Sequence, residues 1–212
     1  MITGFSNSAN ASIVFDVIKA IQRNKELLGE VDGKIGDGDH GVNMNKGFTM
    51  AGDRIEDGDS FSTALNKVGR TLIMDIGGSM GPLYGTLMKK MAKSTKELDT
   101  IDAPAYWAMF QAGLDGIREI SPAKVGDKTM MDTLEPAVAA LQTSIETGKN
   151  FAEALQASSK AAEAGKESTK DMTAKIGRSS RLGERSRGTL DAGATSCCII
   201  IQTMNQSVTG KL

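Results

Sequence analysis

Apolar positions recur along this chain at a helical period, with glycine-rich breaks between the periodic stretches. From Ala11 to Leu28 the buried-type residues Val14, Val17, Ile18 and Ile21 share one face, and Lys19, Arg23 and Lys25 take others. Gly29 is expected to stop this first helix. The same reading predicts helices over Val42–Ile55, from Ser60 through Ile76, from Ser79 or Pro82 through Met91, and over Pro104–Ile120. Three more follow, over Met130–Glu146, over Asn150–Met172 and after Asp191–Gly193. Ser60 is a natural N-cap, Pro136 must sit in a first turn or kink its helix, and Gly165 weakens the seventh. The apolar run Cys197–Ile201 fits a strand by periodicity alone, but its longer Thr195–Val208 setting favours helix. No strand pattern, fixed-period repeat or interdomain linker is visible. The expected fold is all-α, one domain over residues 1–212, an antiparallel bundle or helical barrel of about eight helices.

Composition narrows the partners. Hydrophobic residues make up 40%, enough for a core, and 25 Lys+Arg against 26 Asp+Glu leave a net charge of -1. That balance argues against nucleic acid or a membrane surface as the main partner. The two cysteines, Cys197 and Cys198, are adjacent in an apolar run and read as small buried residues, which fits a reducing cytoplasm. Met1–Asn10 shows no basic-then-apolar leader, and no apolar run approaches a membrane span. The 24 glycines against 4 prolines are clustered, which points to special loops between helices.

The sharpest of these loops is Asp32-Gly33-Lys34-Ile35-Gly36-Asp37-Gly38-Asp39-His40-Gly41-Val42-Asn43. Carboxylate oxygens are hard ligands suited to Mg²⁺, and Asp32, Asp37 and Asp39 held together without a cation would repel. The competing reading is a turn with solvated aspartates. An EF-hand alignment from Asp37 fails, because its fifth position is Gly41 and its twelfth Phe48. His40, the sole histidine, follows Asp39 at a helix start, where a phosphate or nucleotide contact outweighs a structural role or a phosphohistidine carrier. Gly77-Gly78-Ser79-Met80-Gly81-Pro82 lies between helices and offers free N–H groups to an anion, although it is no Walker loop and a plain turn explains it equally. Gly126-Asp127-Lys128-Thr129-Met130 reads as a loop capping the sixth helix. Gly177–Gly188 packs four Arg and three Gly into twelve residues, a mobile cationic flap or a solvated basic loop. Asp191 can cap the last helix.

Together these segments resemble the nucleotide-binding L subunit of dihydroxyacetone kinase. The resemblance is carried by I-G-D-G-D-H-G-V-N-M-N-K-G-F (Ile35–Phe48), G-G-S-M-G-P-L-Y-G-T (Gly77–Thr86), P-A-K-V-G-D-K-T-M-M-D (Pro122–Asp132), L-G-E-R-S (Leu182–Ser186) and D-A-G-A-T-S (Asp191–Ser196). It implies an eight-helix antiparallel barrel with ADP or ATP phosphates and two Mg²⁺ ions at one rim. Asp32, Asp37 and Asp39 would ligate the metals. His40, Gly41, Val42 and Asn43 would contact phosphate or metal-linked groups. Gly78, Ser79 and Met80 would hold phosphate, with Ser79 as the hydrogen-bonding side chain. Ser121, Met130 and the Gly126–Thr129 loop would line the adenine side, Arg178 would stand beside the nucleotide in a catalytic role, and Asp191, Ala192 and Gly193 would close the site.

The chain departs from the family's usual G-G-A-S-G at Gly77–Gly81 and from D-P-G at Asp191–Gly193. The implied activity is phosphoryl transfer to dihydroxyacetone, or to a related short ketose or tetrose, held by a separate K subunit. The phosphoryl group would come from ATP or, on retained ADP, from a phosphohistidine M subunit of the sugar phosphotransferase type. A transcription regulator is a further implied partner. The rival classes are an ADP-binding regulatory module and a structural helical protein with an incidental acidic loop.

Overall fold

In the computed structural model, residues 4–212 are described, so the first three residues of the segment read above for a leader lie outside it. Among the described residues there are nine α-helices: α1 (Ala11–Arg23), α2 (Lys25–Ile35), α3 (His40–Gly52), α4 (Phe61–Asp75), α5 (Met80–Thr95), α6 (Ala103–Ile120), α7 (Met131–Glu146), α8 (Phe151–Ser168) and α9 (Ala192–Thr209). Eight of them close a ring in the order α1, α3, α4, α5, α6, α7, α8, α9 and back to α1. The ninth, α2, lies across one end, against α3 and α9. The expected eight-helix barrel is therefore present, with one helix more than the sequence suggested. None of the helices is long and apolar enough to cross a membrane.

The extra helix comes from a break inside the first predicted one. Asn24 leaves helical geometry (φ -100°, ψ 13°), and its side-chain amide donates to the Ala20 carbonyl. An asparagine side chain that satisfies the backbone locally competes with helix continuation. Gly29, expected to stop the helix, lies inside α2. Its role is proximity: a Cβ on Gly41 would stand 2.7 Å from the Gly29 nitrogen and overlap the Lys25 carbonyl oxygen, so α2 and α3 pack backbone to backbone. The expectation of no strands also needs correction. Gly4–Ser6 (β1) pairs antiparallel with Thr100–Asp102 (β2), three residues each, too short for an alternation to register.

The core fills the barrel with buried side chains from every ring helix, including Phe48, Leu65, Leu87, Met109, Leu134 and Met204. One end is plugged by aromatic rings. Phe5 meets Phe61 edge-on at 5.3 Å, and Tyr106 stands 5.2 Å from Phe110 and 5.5 Å from Phe151. Buried Asn7 stitches that end, donating to the Thr95 and Leu98 carbonyls and accepting from Ser62. Here α4, α6 and α8 begin, each under a side-chain cap. Ser60 accepts from Thr63 N, Asp102 from Ala105 N, and Asn150 and Glu153 form a capping box.

Pro136 sits past the first turn of α7, in the helix interior. It has no N–H to give to the Asp132 carbonyl one turn back. Gly165 of α8 lies against that carbonyl so closely that a Cβ would overlap it. The weak point expected at Gly165 is thus where two helices touch.

Candidate functional site

The other end of the barrel is open. There α3, α5, α7 and α9 start, and α2, α4 and α6 finish, around a cleft of about 840 Å³. That is the size of a pocket for a small-molecule ligand. At the starts of α3 and α5, the side chains of the N-cap residues Asp39 and Ser79 accept no bond from the helix N–H groups. At the start of α7 Thr129 Oγ1 accepts from Met131 N at 3.2 Å, and at the start of α9 Asp191 caps its helix, accepting from Ala194 N at 2.7 Å. Uncapped helix N-termini facing one space present donors and positive dipole ends to an anion.

The three aspartates of the sharpest motif stand on one side of this cleft. Asp32 belongs to the last turn of α2, while Asp37 and Asp39 follow in the connection to α3. One carboxylate oxygen from each lies within 4.8 Å of the others. Gly38 turns the chain in the left-handed region (φ 77°), and a Cβ on Gly36 would overlap the Asp32 carboxylate. Glycine is what lets the loop fold back onto Asp32. Asp32 also accepts from His40 N at 3.3 Å. A donor set of three carboxylates, oxygen only, fits a hard divalent cation such as Mg²⁺ and disfavours a thiophilic one.

Arg178 reaches Asp37 from across the cleft and forms an ion pair with it. It sits at the start of a 3₁₀ segment, Arg178–Ser186, in the Arg/Gly-rich stretch. The reading as a flap thus gains a position: this stretch lies over the acidic cluster, against α2.

His40, Asn43, Gly78, Ser79, Met80, Ser121, Thr129, Met130, Ala192 and Gly193 also line the cleft, with Asp32, Asp37, Asp39, Arg178 and Asp191. Three residues of the expected set do not. Gly41 is buried against α2, Val42 is 54% exposed on the outside of α3, and Gly126 is turned into the loop before α7. In that loop Asp132 accepts from Gly126 N at 2.5 Å and from Thr129 N at 2.7 Å.

Several lining residues had no sequence signal. Ile73, Leu83, Ile117, Ile120 and Ile176 make one wall apolar, and nothing in a helical period separates a residue at a rim from one in the core. A buried relay was equally hidden. His40 Nε2 is 2.8 Å from Ser196 Oγ, which is 2.6 Å from the Tyr84 hydroxyl, and Tyr84 donates to the Gly193 carbonyl at 2.9 Å. It joins α3, α5 and α9, so only the fold brings it together.

The electrostatics follow from burial. Desolvation holds the His40 imidazole below its ordinary value, against the pull of the Asp32 carboxylate. Burial pushes the Asp191 carboxyl up to about 6, while the Ala194 N–H and the Lys128 ammonium draw it down. Burial likewise lowers Lys128, opposed by Asp191, Asp132 and Asp171.

What the fold and the site define is a helical barrel that offers, around one rim, carboxylates suited to a cation and helix N-termini suited to an anion. The DAK2 domain matches residues 34–206. The ADP-binding subunit DhaL of the PEP-dependent dihydroxyacetone kinase of Escherichia coli (strain K12) is 40% identical over 182 residues, 84% of this chain and 86% of that one. The DhaL subunit of dihydroxyacetone kinase 1 of Listeria innocua is 37% identical, covering 91% and 92%. A D-erythrulose kinase of Mycolicibacterium smegmatis is 32% identical over 92% of this chain, which spans 34% of that protein. The fold matches the crystal structure of the dihydroxyacetone kinase of C. freundii with a TM-score of 0.71 at 24% identity, over 97% of this chain and 36% of that one. A structure of the C. freundii kinase in complex with AMP-PNP and Mg²⁺ matches at 0.68 and 23% identity. The chain belongs to the DAK2-domain family, with the DhaL subunits of PEP-dependent dihydroxyacetone kinases, which are phosphotransferases.

Proposed function

We propose that this chain is the nucleotide-binding phosphotransfer subunit of a cytoplasmic dihydroxyacetone kinase. The chain would retain ADP, a phosphohistidine M subunit would convert it to ATP, and the γ-phosphoryl group would go to dihydroxyacetone on a K subunit, leaving ADP in place. The observation that carries the reading is the meeting of Asp32, Asp37 and Asp39 with the N-termini of α3 and α5, neither closed by its N-cap side chain, around one cleft. The names of the DhaL relatives support ADP and a PEP-derived phosphoryl group.

Phosphoryl transfer asks for positioning and charge neutralisation more than for covalent chemistry. Asp32, Asp37 and Asp39 would hold two Mg²⁺ ions, which would supply positive charge against that of the phosphates. The N–H groups at the starts of α3 and α5, with Ser79 and Asn43, hold phosphate oxygens. His40, held through Nε2 by Ser196, keeps its other ring nitrogen for a phosphate contact. The apolar wall and Met130 take the adenine, with Ser121 and Thr129 at its edge. Arg178 brings a delocalised cation over the phosphates and gives no proton. A second reading, an ATP-dependent kinase subunit for a short ketose or tetrose, is favoured by the 32% identity to a D-erythrulose kinase.

The test is to purify the protein in Mg²⁺, denature it and identify what is released. Tightly held ADP, about one per chain, is expected, whereas an empty site that turns over with free ATP supports the second reading. Asp37→Asn should fold normally by circular dichroism, purify without nucleotide, and give no sugar phosphate with K and M partners. Normal turnover of that variant would remove Asp37 from the reaction.

A further inference from the structure

Between α8 and α9 the chain leaves the barrel, from Lys170 to Gly188, and returns. Its two ends are held by one side chain. The Lys128 ammonium donates to the Thr169 carbonyl at 2.5 Å and to the Thr189 carbonyl at 2.6 Å. Lys128 is only 1% exposed, and it lies in the left-handed region (φ 61°). A buried lysine and a non-glycine residue with positive φ each persist only where their surroundings fix them. Here the fixing is visible, since Asp132 holds the turn by its N–H groups at Gly126 and Thr129. The same turn grips the excursion farther out. Asp127 accepts from Lys175 N at 3.1 Å through its carbonyl and pairs with the Lys175 ammonium at 3.4 Å. Across the neck, Gly188 N donates to the Lys170 carbonyl at 2.7 Å and Ala174 N to Ser186 Oγ at 2.9 Å.

We propose that Lys128 is a positioning residue that clasps both ends of the Lys170–Gly188 flap and so sets where Arg178 stands over the acidic cluster. A loop closed at its neck samples far fewer arrangements than one tethered at a single point. The guanidinium of Arg178 is therefore presented at Asp37 before any ligand arrives, and less ordering remains to be done when phosphate binds. The geometric part concerns this chain alone. The consequence for nucleotide rests on the function proposed above.

Lys128→Met keeps the length and apolar stem of the side chain and removes the donors. Hydrogen exchange is expected to speed up about tenfold or more at the Lys175 and Gly188 amides, with α4 and α5 amides unchanged. Unchanged protection at those two amides overturns the proposal. If Lys128→Met does not fold, Lys128→Gln, too short to reach both carbonyls, takes its place: faster exchange at the Lys175 and Gly188 amides supports the clasp, and unchanged exchange overturns it. The second arm is a double-mutant cycle read by Mg-ADP affinity. Lys128→Met is expected to weaken ADP about tenfold in the native background and to have little effect once Arg178→Ala is present. Losses that simply multiply mean that Lys128 does not act through Arg178 and overturn the positioning role. Should ADP fail to bind the native protein, the proposed function fails, while the exchange arm still tests the clasp.

Discussion

Asp191 shows how one side chain serves two demands. Its carboxylate caps α9 through the Ala194 N–H, yet it faces the cleft among other acids, and burial pushes it up to about 6 from an ordinary 3.8. The folded chain thus holds this proton over a range where the unfolded chain has lost it. The stabilisation from that proton is complete below about pH 4 and is lost as pH rises through 6. Asp191→Asn keeps a cap acceptor and does not titrate. The urea midpoint of the native protein, measured against this variant, should fall between pH 4 and pH 7, and a constant difference would refute the assignment. The position of Asp191 was legible as a cap in D-A-G-A-T-S, but its buried neighbours Lys128 and Asp132 were not. They lie some sixty residues away in sequence, and only the closed ring brings them near. The acidic motif was legible for the opposite reason: its residues are local, and the glycines that fold them together are written between them.

At the level of elements, helical periodicity marked every ring helix, because each buries one stripe against its neighbours. It missed the break at Asn24, where apolar spacing runs on and a single side-chain hydrogen bond ends the helix. It also gave Gly165 the wrong meaning. Propensity alone says that Gly165→Ala gains about 1 kcal/mol in α8. The structure reverses the sign, because the new methyl would overlap the Asp132 carbonyl left without a donor by Pro136. Overpacking of this kind costs about 1–3 kcal/mol. Gly165→Ala should lower the chemical denaturation midpoint and, by displacing Asp132, weaken ligand binding at the rim. A more stable variant would show that the contact relaxes freely.

Taken as a whole, the rim draws on distant parts of the chain: Asp32 and His40 near the start, Met130 in the middle, Asp191 near the end. A ligand that bridges them stabilises the entire ring. Mg²⁺ with ADP at about a hundred times its dissociation constant adds about 2.7 kcal/mol. For a chain of this size, that is a rise in melting temperature of about 5–10 °C. Calorimetry of the native protein, stripped of nucleotide and then given Mg-ADP, should show this rise, and Asp37→Asn should show none.

The ring closes only when α9 docks between α8 and α1, and α9 spans Ala192–Thr209. Asp191, Ala192 and Gly193, with the Ser196 that anchors His40, all arrive with it. Without α9 in place, the carboxylate trio is present but the pocket lacks its last wall. The docking of this one helix is thus the act that turns an acidic ledge into an enclosed pocket, and any change that loosens α9 should be felt at the rim before it is felt in the core.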